Sequence, residues 1–548
     1  MNSLLRIPAN RLPGGAFTGR LFCSLAAALL LASGAVQAIA QTRSFAEVRA
    51  LGGKRHVPLS GSVEGIIVSD WRSDNMEHNP NIDHSTVDLG ENLRTAYVES
   101  TDGALGFRLK FSGIYGNRLA QGDLVRISLE GCRLIREESP ERYTIEGIEP
   151  VKVEFLGHGL PLPEKRRHVS ELTPEDVYTH VTLPGVEFSK KSGGYINVNE
   201  RYVQTTELNR YLYCPDPFNQ GPTENADCWA RLMLDDEGSP IYLLVNSTCL
   251  WRRNNGGVPQ GRGEVSGIIV HDSLRRYGAS LGDYSIRPLD LRGFAMAREN
   301  GSAYSTLAQW EWDYNAHAEL SLQNGGRVRF PKPESLRGDK ILAEEGSGLL
   351  WTDSGAWMSL GDEYDARHSF DGWKPARMTG SRSNAALRLD CSGTSWAGKS
   401  VYVETSTAGI TGKALTFVFS FVEGMENSNG SYAFPVEWKV SWSTDGSSWT
   451  ELPQLCLLRP MAYTNILHGK RLVQVHSEAA VGFPEHCLRL PDSLFGQERL
   501  LLRISPCSSV SAVIPERWDD SSTTGDLSRD GLVPVTIRFG TVSLKYLK

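Results

Sequence analysis

Apolar and polar residues alternate over short stretches through most of this chain. In the segment Gly122 to Gly131, Val125, Ile127 and Leu129 share one parity while Arg126, Ser128 and Glu130 take the other, which predicts a strand with one buried and one wet face. Similar stretches at 57–68, 94–99, 105–111 and 143–155 bring the first region to five strands. Ahead of them, Ser44 and Glu47 have the spacing of a helix capping box, and Gly52 stands where that short helix ends. Asp102-Gly103 separates the second and third strands and predicts a tight hairpin with both central residues at positive φ.

The proline-containing basic stretch 159–168 breaks this pattern, and a similar order of elements then restarts. Thr173-Pro174-Glu175-Asp176 predicts a second short helix, strands follow near 181–188, 194–198, 230–234, 240–245 and 261–272, and Gly238 takes the hairpin position. Aligning Ser44 with Thr173, Gly103 with Gly238 and Val125 with Val265 gives offsets of 129, 135 and 140, a slow drift of the kind loop insertions produce. Five strands and one short helix, twice over, are the count of two tandem OB-like barrels. The strings 61–70 and 263–272 share G-x-V-x-G-I-I-V-x-D, but they occupy different places in the strand order, so strand chemistry rather than duplication accounts for them.

From about residue 305 the aromatic pattern changes. Ten of the 13 tryptophans lie from Trp310 onward. In the segment 414–422, Leu415, Phe417, Phe419 and Phe421 line one face of a strand expected to be central and buried. Near the C-terminus, Val535, Ile537 and Phe539 share one parity and Val542, Leu544 and Tyr546 the other, so a β-bulge at Gly540 is expected. These strands predict a two-sheet jelly-roll sandwich. The fold class expected is therefore all-β, with domains at 44–158, 165–298 and 305–548. Its 548 residues, 54 Gly and 27 Pro suit several small β domains.

Residues 1–40 carry Arg6, Arg11 and Arg20 before a long apolar run, then small residues up to Ala38 and Ala40. This predicts a secretory signal peptide, and with it an exported protein. Its removal moves the formal charge from -7 to -10, leaving 54 basic against 64 acidic residues, which argues against a general nucleic-acid partner. Eight cysteines remain in the mature chain with no C-x-x-C pair. Disulfides are permitted in an oxidising compartment, and a Cys214–Cys228 loop clip is the first choice.

The strings GSVEGIIVSD, GDLVRISLEG, RRHVSELTPEDVYTHVTLPGVEF, GEVSGIIVHD and YSIRPLDLRGF resemble a family of uncharacterised OB-like domains in exported Bacteroidota proteins. Likewise TLAQWEW, FDGW, SVYVETSTAGITGKALTFVFSF and EWKVSWSTDGSSW resemble galactose-binding-like or anchor-associated jelly-roll modules. The resemblance implies a secreted or surface-displayed accessory protein and carries over no catalytic residues.

The chain lacks the serine-hydrolase elbow, the H-E-x-x-H zinc helix and the phosphate-binding loop. Asp70, Asp74, Glu77, His78, Asp83 and His84 crowd one loop, and Asp519, Asp520, Asp526 and Asp530 another. Either set could hold a cation such as calcium, but neither has EF-hand spacing, so solvated loops are expected and no cofactor is assigned. Trp438 and Trp442 share a strand face and are expected in the core. Trp71 in the first barrel's loop and Trp373 and Trp396 near predicted loop ends, with Tyr97 and Arg108 on the usual ligand face of an OB barrel, are the candidate ligand-binding residues. The expected function is a non-catalytic binding or adhesion protein of the bacterial envelope, with a glycan or envelope protein as partner. The alternatives are a secreted glycoside hydrolase or nuclease acting through paired carboxylates or a loop-bound cation, and a structural spacer.

Overall fold

The computed structural model describes residues 41–52, 57–76, 89–191, 195, 230–246, 249, 251, 258–271, 273–274, 279–280, 282–310, 336–337, 340–353, 356–360, 387–391, 400–424, 437–457, 463–468, 471–476, 485–507 and 536–548. The signal segment 1–40, the proposed Cys214–Cys228 pair and the acidic loop around Asp519 lie outside them. No helix among the described residues is long and apolar enough to cross a membrane.

Helix α1 (Phe45–Ala50) begins as its sequence dictates. The Ser44 side chain accepts the Glu47 backbone N–H, while the Glu47 carboxylate accepts the Ser44 N–H at 2.7 Å. Phe45 and Val48 on its inner face are buried in the first core. That core lies inside strands β1 (Ser62–Ile67), β2 (Thr95–Glu99), β3 (Gly106–Phe111), β4 (Leu124–Ser128), β5 (Arg133–Glu137) and β6 (Arg142–Ile148). β1, β2 and β3 form an antiparallel meander, β3 pairs parallel with β6, β6 pairs with β5, and β1 pairs with β4. Val57–Pro58, just ahead of β1, pairs with β5 and closes the ring. Since β4 and β5 are two halves of one bent strand, the result is a five-stranded barrel of OB type.

The second barrel repeats the circuit with β7 (His180–Phe188), β8 (Arg231–Leu234), β9 (Pro240–Leu243), β10 (Gly263–Val270) and β11 (Ser285–Arg287). β7 to β9 form the meander, β9 pairs parallel with β11, and β10 pairs with both β11 and β7. The two G-I-I-V strings fall on β1 and β10, the first and fourth strands of their barrels, as the strand order required. Thr173 does not open an α-helix. Pro174–Asp176 makes one 3-10 turn, in which Asp176 accepts the Thr173 N–H at 2.9 Å and the chain passes almost at once into β7.

The hairpin at Asp102-Gly103 also differs from expectation. Only Gly103 has positive φ, at 70°; the turn is wider, with the Gly103 N–H donating to Ser100 O and the Ser100 N–H to Leu105 O. A side chain at Gly103 would also meet Pro163, whose Cβ lies 2.8 Å from the position a Cβ would take. Gly103→Ala is therefore expected to cost about 1–2 kcal/mol, read as a lower denaturant midpoint; an unchanged midpoint counts against the strain argument.

The sandwich packs two sheets around one core. One contains β12 (Tyr304–Trp310), β15 (Leu387–Cys391), β17 (Lys413–Gly424), β20 (Glu485–Arg489) and β22 (Thr536–Leu547). The other includes β13 (Lys340–Leu342), β14 (Leu349–Thr352), β16 (Val401–Thr405), β21 (Leu500–Pro506), β18 (Glu437–Ser443) and β19 (Thr450–Leu457), in that spatial order. Leu415, Phe417, Phe419, Phe421 and Trp438 are fully buried between the sheets, and Trp442 packs against the same cluster. The bulge at Gly540 is present. Phe419 pairs with Val542 and Phe421 with Phe539, so two residues of β17 span three of β22, and both Phe539 and Val542 reach the core.

Candidate functional site

The usual ligand face of an OB barrel is occupied in the first barrel. Tyr97 is 1% exposed, its ring 5.3 Å from that of Tyr178, which belongs to the segment entering β7. Arg108 lies over the same ring at 5.6 Å, donates to Thr144 Oγ1 at 2.9 Å and pairs with Glu137 at 3.3 Å. Tyr178 has a left-handed backbone, φ 69°, and its carbonyl oxygen comes within 2.3 Å of where a Cβ on Gly106 would stand. Tyr97 and Arg108 thus sit at the seam between barrels. Trp71 is half-buried, with Arg118 at 4.7 Å and Arg72 at 5.5 Å over its ring. Trp373 and Trp396 lie outside the described residues, and of the other three Tyr97 and Arg108 share Tyr178 while Trp71 has Arg72 and Arg118 over its ring.

The loop after β1 differs from the solvated loop expected. Its described part runs into the second barrel: Asn75 and Met76 are fully buried, and burial raises the Asp74 carboxyl above its ordinary range. Asp70 accepts the Arg72 N–H at 2.9 Å. Glu77, His78, Asp83 and His84 lie outside the described residues.

The second barrel's outer surface is likewise engaged. The Leu232 N–H on β8 donates to Glu485 of the sandwich at 3.1 Å, and the Tyr242 hydroxyl on β9 donates to the Glu485 carbonyl. Beside this contact is a polar cleft of about 300 Å³, lined by Glu187, Ser189, Lys191, Tyr304, Glu345 and Lys545. Its charges are largely committed. Glu187 accepts from the Ala303 N–H and the Ser302 hydroxyl, and Lys545 donates to the Ser189 carbonyl at 2.7 Å. His168, Asp235 and Glu237 bring possible metal-binding atoms within 4.8 Å of one another. Asp235, however, already accepts backbone N–H groups from Val169, Glu237 and Ser239, which fixes the β8–β9 hairpin.

A different arrangement stands on the sandwich. In β14, β16, β21 and β18, Leu350, Val401, Val403, Leu502, Ile504 and Val440 face the core. The alternate positions face outward, and register aligns Trp351 with Tyr402, Tyr402 with Arg503 and Arg503 with Ser441. The Trp351 and Tyr402 rings are 5.4 Å apart at 9°, and Trp449, beyond the exposed 444–448 turn, stands 5.9 Å from Tyr402 at 64°. Lys340 Nζ lies 3.7 Å from the Trp351 ring centre and Arg503 Cζ 4.3 Å from that of Trp449. All five side chains belong to half-buried residues, so the row is neither core nor freely solvated.

Polar groups surround the row. Burial raises the Tyr402 phenol above its ordinary range, helped by its hydrogen bond to Asp353, which also accepts the Ser400 N–H at 2.8 Å. Burial works against a charged Glu404, but Arg499 and Lys340 outweigh it and hold its carboxyl below the ordinary range. Trp351 and Tyr402 were not among the sequence candidates. Their signal was the placing of large aromatic rings at the outward parity of strands whose other parity is aliphatic.

No protein-family profile and no curated protein matches the sequence. Among solved structures, the chain is similar to a carbohydrate-binding module in complex with beta-1,4-galactotriose, at 7% identity over 37% of this chain and 88% of that one, TM-score 0.17. It is also similar to the K3 cleaved adhesin domain of Lys-gingipain from Porphyromonas gingivalis, at 12% identity over 35% and 96%, TM-score 0.16. Carbohydrate-binding modules from the β-sandwich superfamily give 9% identity over 66% of this chain and 97% of that one, TM-score 0.20.

Proposed function

We propose that this is an exported, non-catalytic binding protein of the bacterial envelope whose sandwich recognises a glycan along the Trp351–Tyr402–Trp449 row. The single observation behind this reading is the row itself: three aromatic rings at outward positions, ringed by hydrogen-bonding groups. Sugars present apolar C–H faces and hydroxyl edges, and an aromatic row with polar neighbours suits both. Lys340 covers one side of Trp351 in the free protein. A sugar ring stacking there displaces it, at the cost of a partly exposed Lys340–Glu404 ion pair worth about 0–1 kcal/mol. Such binding needs no cofactor.

The division into units at 44–158, 165–298 and 305–548 is part of this proposal, as are the signal peptide and the kinship to exported Bacteroidota proteins. The barrels act as the support that presents the sandwich. An enzymatic alternative would need reactive carboxylates beside the row, whereas Glu404 is held by two cations and Asp353 by Ser400 and Tyr402.

The test is a glycan array with purified chain, followed by titration of the best ligand. Trp351→Ala is expected to weaken that affinity about tenfold, roughly 1.4 kcal/mol, with the melting temperature checked to confirm folding. An array at background, or a folded variant that binds as tightly as the parent, overturns the proposal.

A further inference from the structure

Three cations around the aromatic row have carboxylate partners. Lys340 meets Glu404 at 3.4 Å, Arg499 meets Glu404 at 3.1 Å, and Lys439 meets Glu451 at 2.8 Å. Arg503 neighbours Tyr402 in strand register and lies over the Trp449 ring, and it has no carboxylate within salt-bridge reach among the described residues. Its Nε is buried and makes no hydrogen bond.

A guanidinium placed this way is incompletely compensated. Contact with the Trp449 ring recovers part of the desolvation, but a ring face cannot accept the planar fork of N–H groups that a carboxylate or sulfate accepts. Lys340, Arg499 and Lys439 on this face have carboxylate partners, so the surface chemistry was available. At the strand position paired with Arg503 on β18 stands Ser441, which is buried and uncharged.

We propose that the ligand of this face is an acidic glycan, whose sugar rings stack on the aromatic row while an anionic substituent binds Arg503. The inference rests on the glycan-binding reading above and adds the charge of the ligand. It accommodates the displacement of Lys340, because the freed ammonium would remain close to an anionic chain.

The test uses the full-length chain without its signal segment, titrated with polygalacturonate, dextran sulfate, neutral galactan, neutral dextran and single-stranded DNA. Polygalacturonate or dextran sulfate is expected to bind about tenfold or more tightly than the neutral polymers at low salt, a difference of the size one charge-assisted contact gives. The two acidic polymers separate carboxylate from sulfate recognition. Arg503→Gln should bring acidic and neutral polymers within about twofold of each other, with Arg503→Lys intermediate, because a point charge replaces a fork. Trp351→Ala should weaken acidic and neutral polymers alike.

Equal or tighter binding of the neutral polymers, or an Arg503→Gln variant that keeps the acidic preference, overturns the charge assignment while the stacking face stands if Trp351→Ala still weakens binding. Binding to none of the polysaccharides overturns both. Single-stranded DNA bound as tightly as the acidic glycans, and equally sensitive to Arg503→Gln, also overturns the assignment by showing general polyanion attraction. Melting temperatures of each variant near the parent's keep these outcomes separate from misfolding.

Discussion

Asn75→Ala is expected to destabilise the chain by about 3–5 kcal/mol, although Asn75 lies in a polar loop that reads as solvated. Its Nδ2 donates to the Leu244 carbonyl at 3.0 Å and the Pro288 carbonyl at 2.7 Å. Its Oδ1 accepts from the Asn246 N–H at 2.8 Å and from Arg287 Nη1 at 3.2 Å. Asn75 belongs to the first barrel's loop and all four partners to the second barrel. Asn75, Asn246 and Arg287 are each at most 3% exposed, so water cannot replace what is removed. Each buried group left unsatisfied costs about 1–3 kcal/mol, more where the group is charged, and partial relaxation lowers the total from the simple sum. Ser73→Ala, which loses the bond to the Leu289 carbonyl and the acceptor of the Asn75 N–H at the edge of the same contact, should cost less, about 1–2 kcal/mol. Denaturant unfolding of both variants, with limited proteolysis to detect separation of the barrels, checks the claim. A loss below about 1 kcal/mol for Asn75→Ala would mean that the network contributes little to docking the barrels.

The second large effect is a pH dependence located at Glu99. This residue is fully buried, with its Oε2 accepting the His180 N–H at 2.9 Å across the seam and its Oε1 without a hydrogen bond. Burial pushes its carboxyl up to about 7, against the lowering effects of the His180 N–H and Lys165, while Asp102 adds to the rise. Since the folded value exceeds the unfolded one, the folded state holds the extra proton. The stabilisation is complete below about pH 4.5 and is lost as pH rises through about 7, an amount near 3 kcal/mol. His180 works in the opposite sense: burial lowers it to about 4, so the unfolded chain takes up a proton first as pH falls below 6.5. The two slopes largely cancel in the acid range, and the decline of the parent protein should show chiefly above pH 6.5. Glu99→Gln isolates the carboxyl. Its stability relative to the parent should grow by about 3 kcal/mol between pH 4.5 and 8; a constant difference over that range would place the Glu99 carboxyl at an ordinary value.

Much of the fold was legible because strand patterning is local. Val125 and Ile127 alternate with Arg126 and Ser128, and β4 buries that first pair in the barrel. The offset between Phe539 and Val542 required a bulge at Gly540, and the register of β17 against β22 contains it. Trp438 was expected in the core and is there. Turn detail was less legible. At Asp102-Gly103 the dipeptide announced a hairpin, but the wider hydrogen-bonded loop places positive φ on the glycine alone.

Ligand-facing residues were the hardest to read. Tyr97 and Arg108 stand on the barrel face that OB folds commonly use, yet Tyr178, about 80 residues later in the chain, covers both. Alternation shows that one side of a strand faces away from its own core; it carries no information on whether a distant segment docks there. Trp351 and Trp449 are nearly a hundred residues apart, and Tyr402 joins them only because β14, β16, β21 and β18 lie side by side in one sheet.

The sequence by itself determined the strands, their two-sided character, the repeated barrel order and the aromatic core of the sandwich, since each follows from neighbouring residues and a period of two. Tertiary structure decided which outward faces remain open. The Asn75 network and the Glu99 contact close the seam between barrels, and Glu485 covers part of the second. The Trp351–Tyr402–Trp449 row, with Arg503 beside it, exists only through strand register across the sheet, because long-range packing sets which side chains meet and which stay within reach of a ligand.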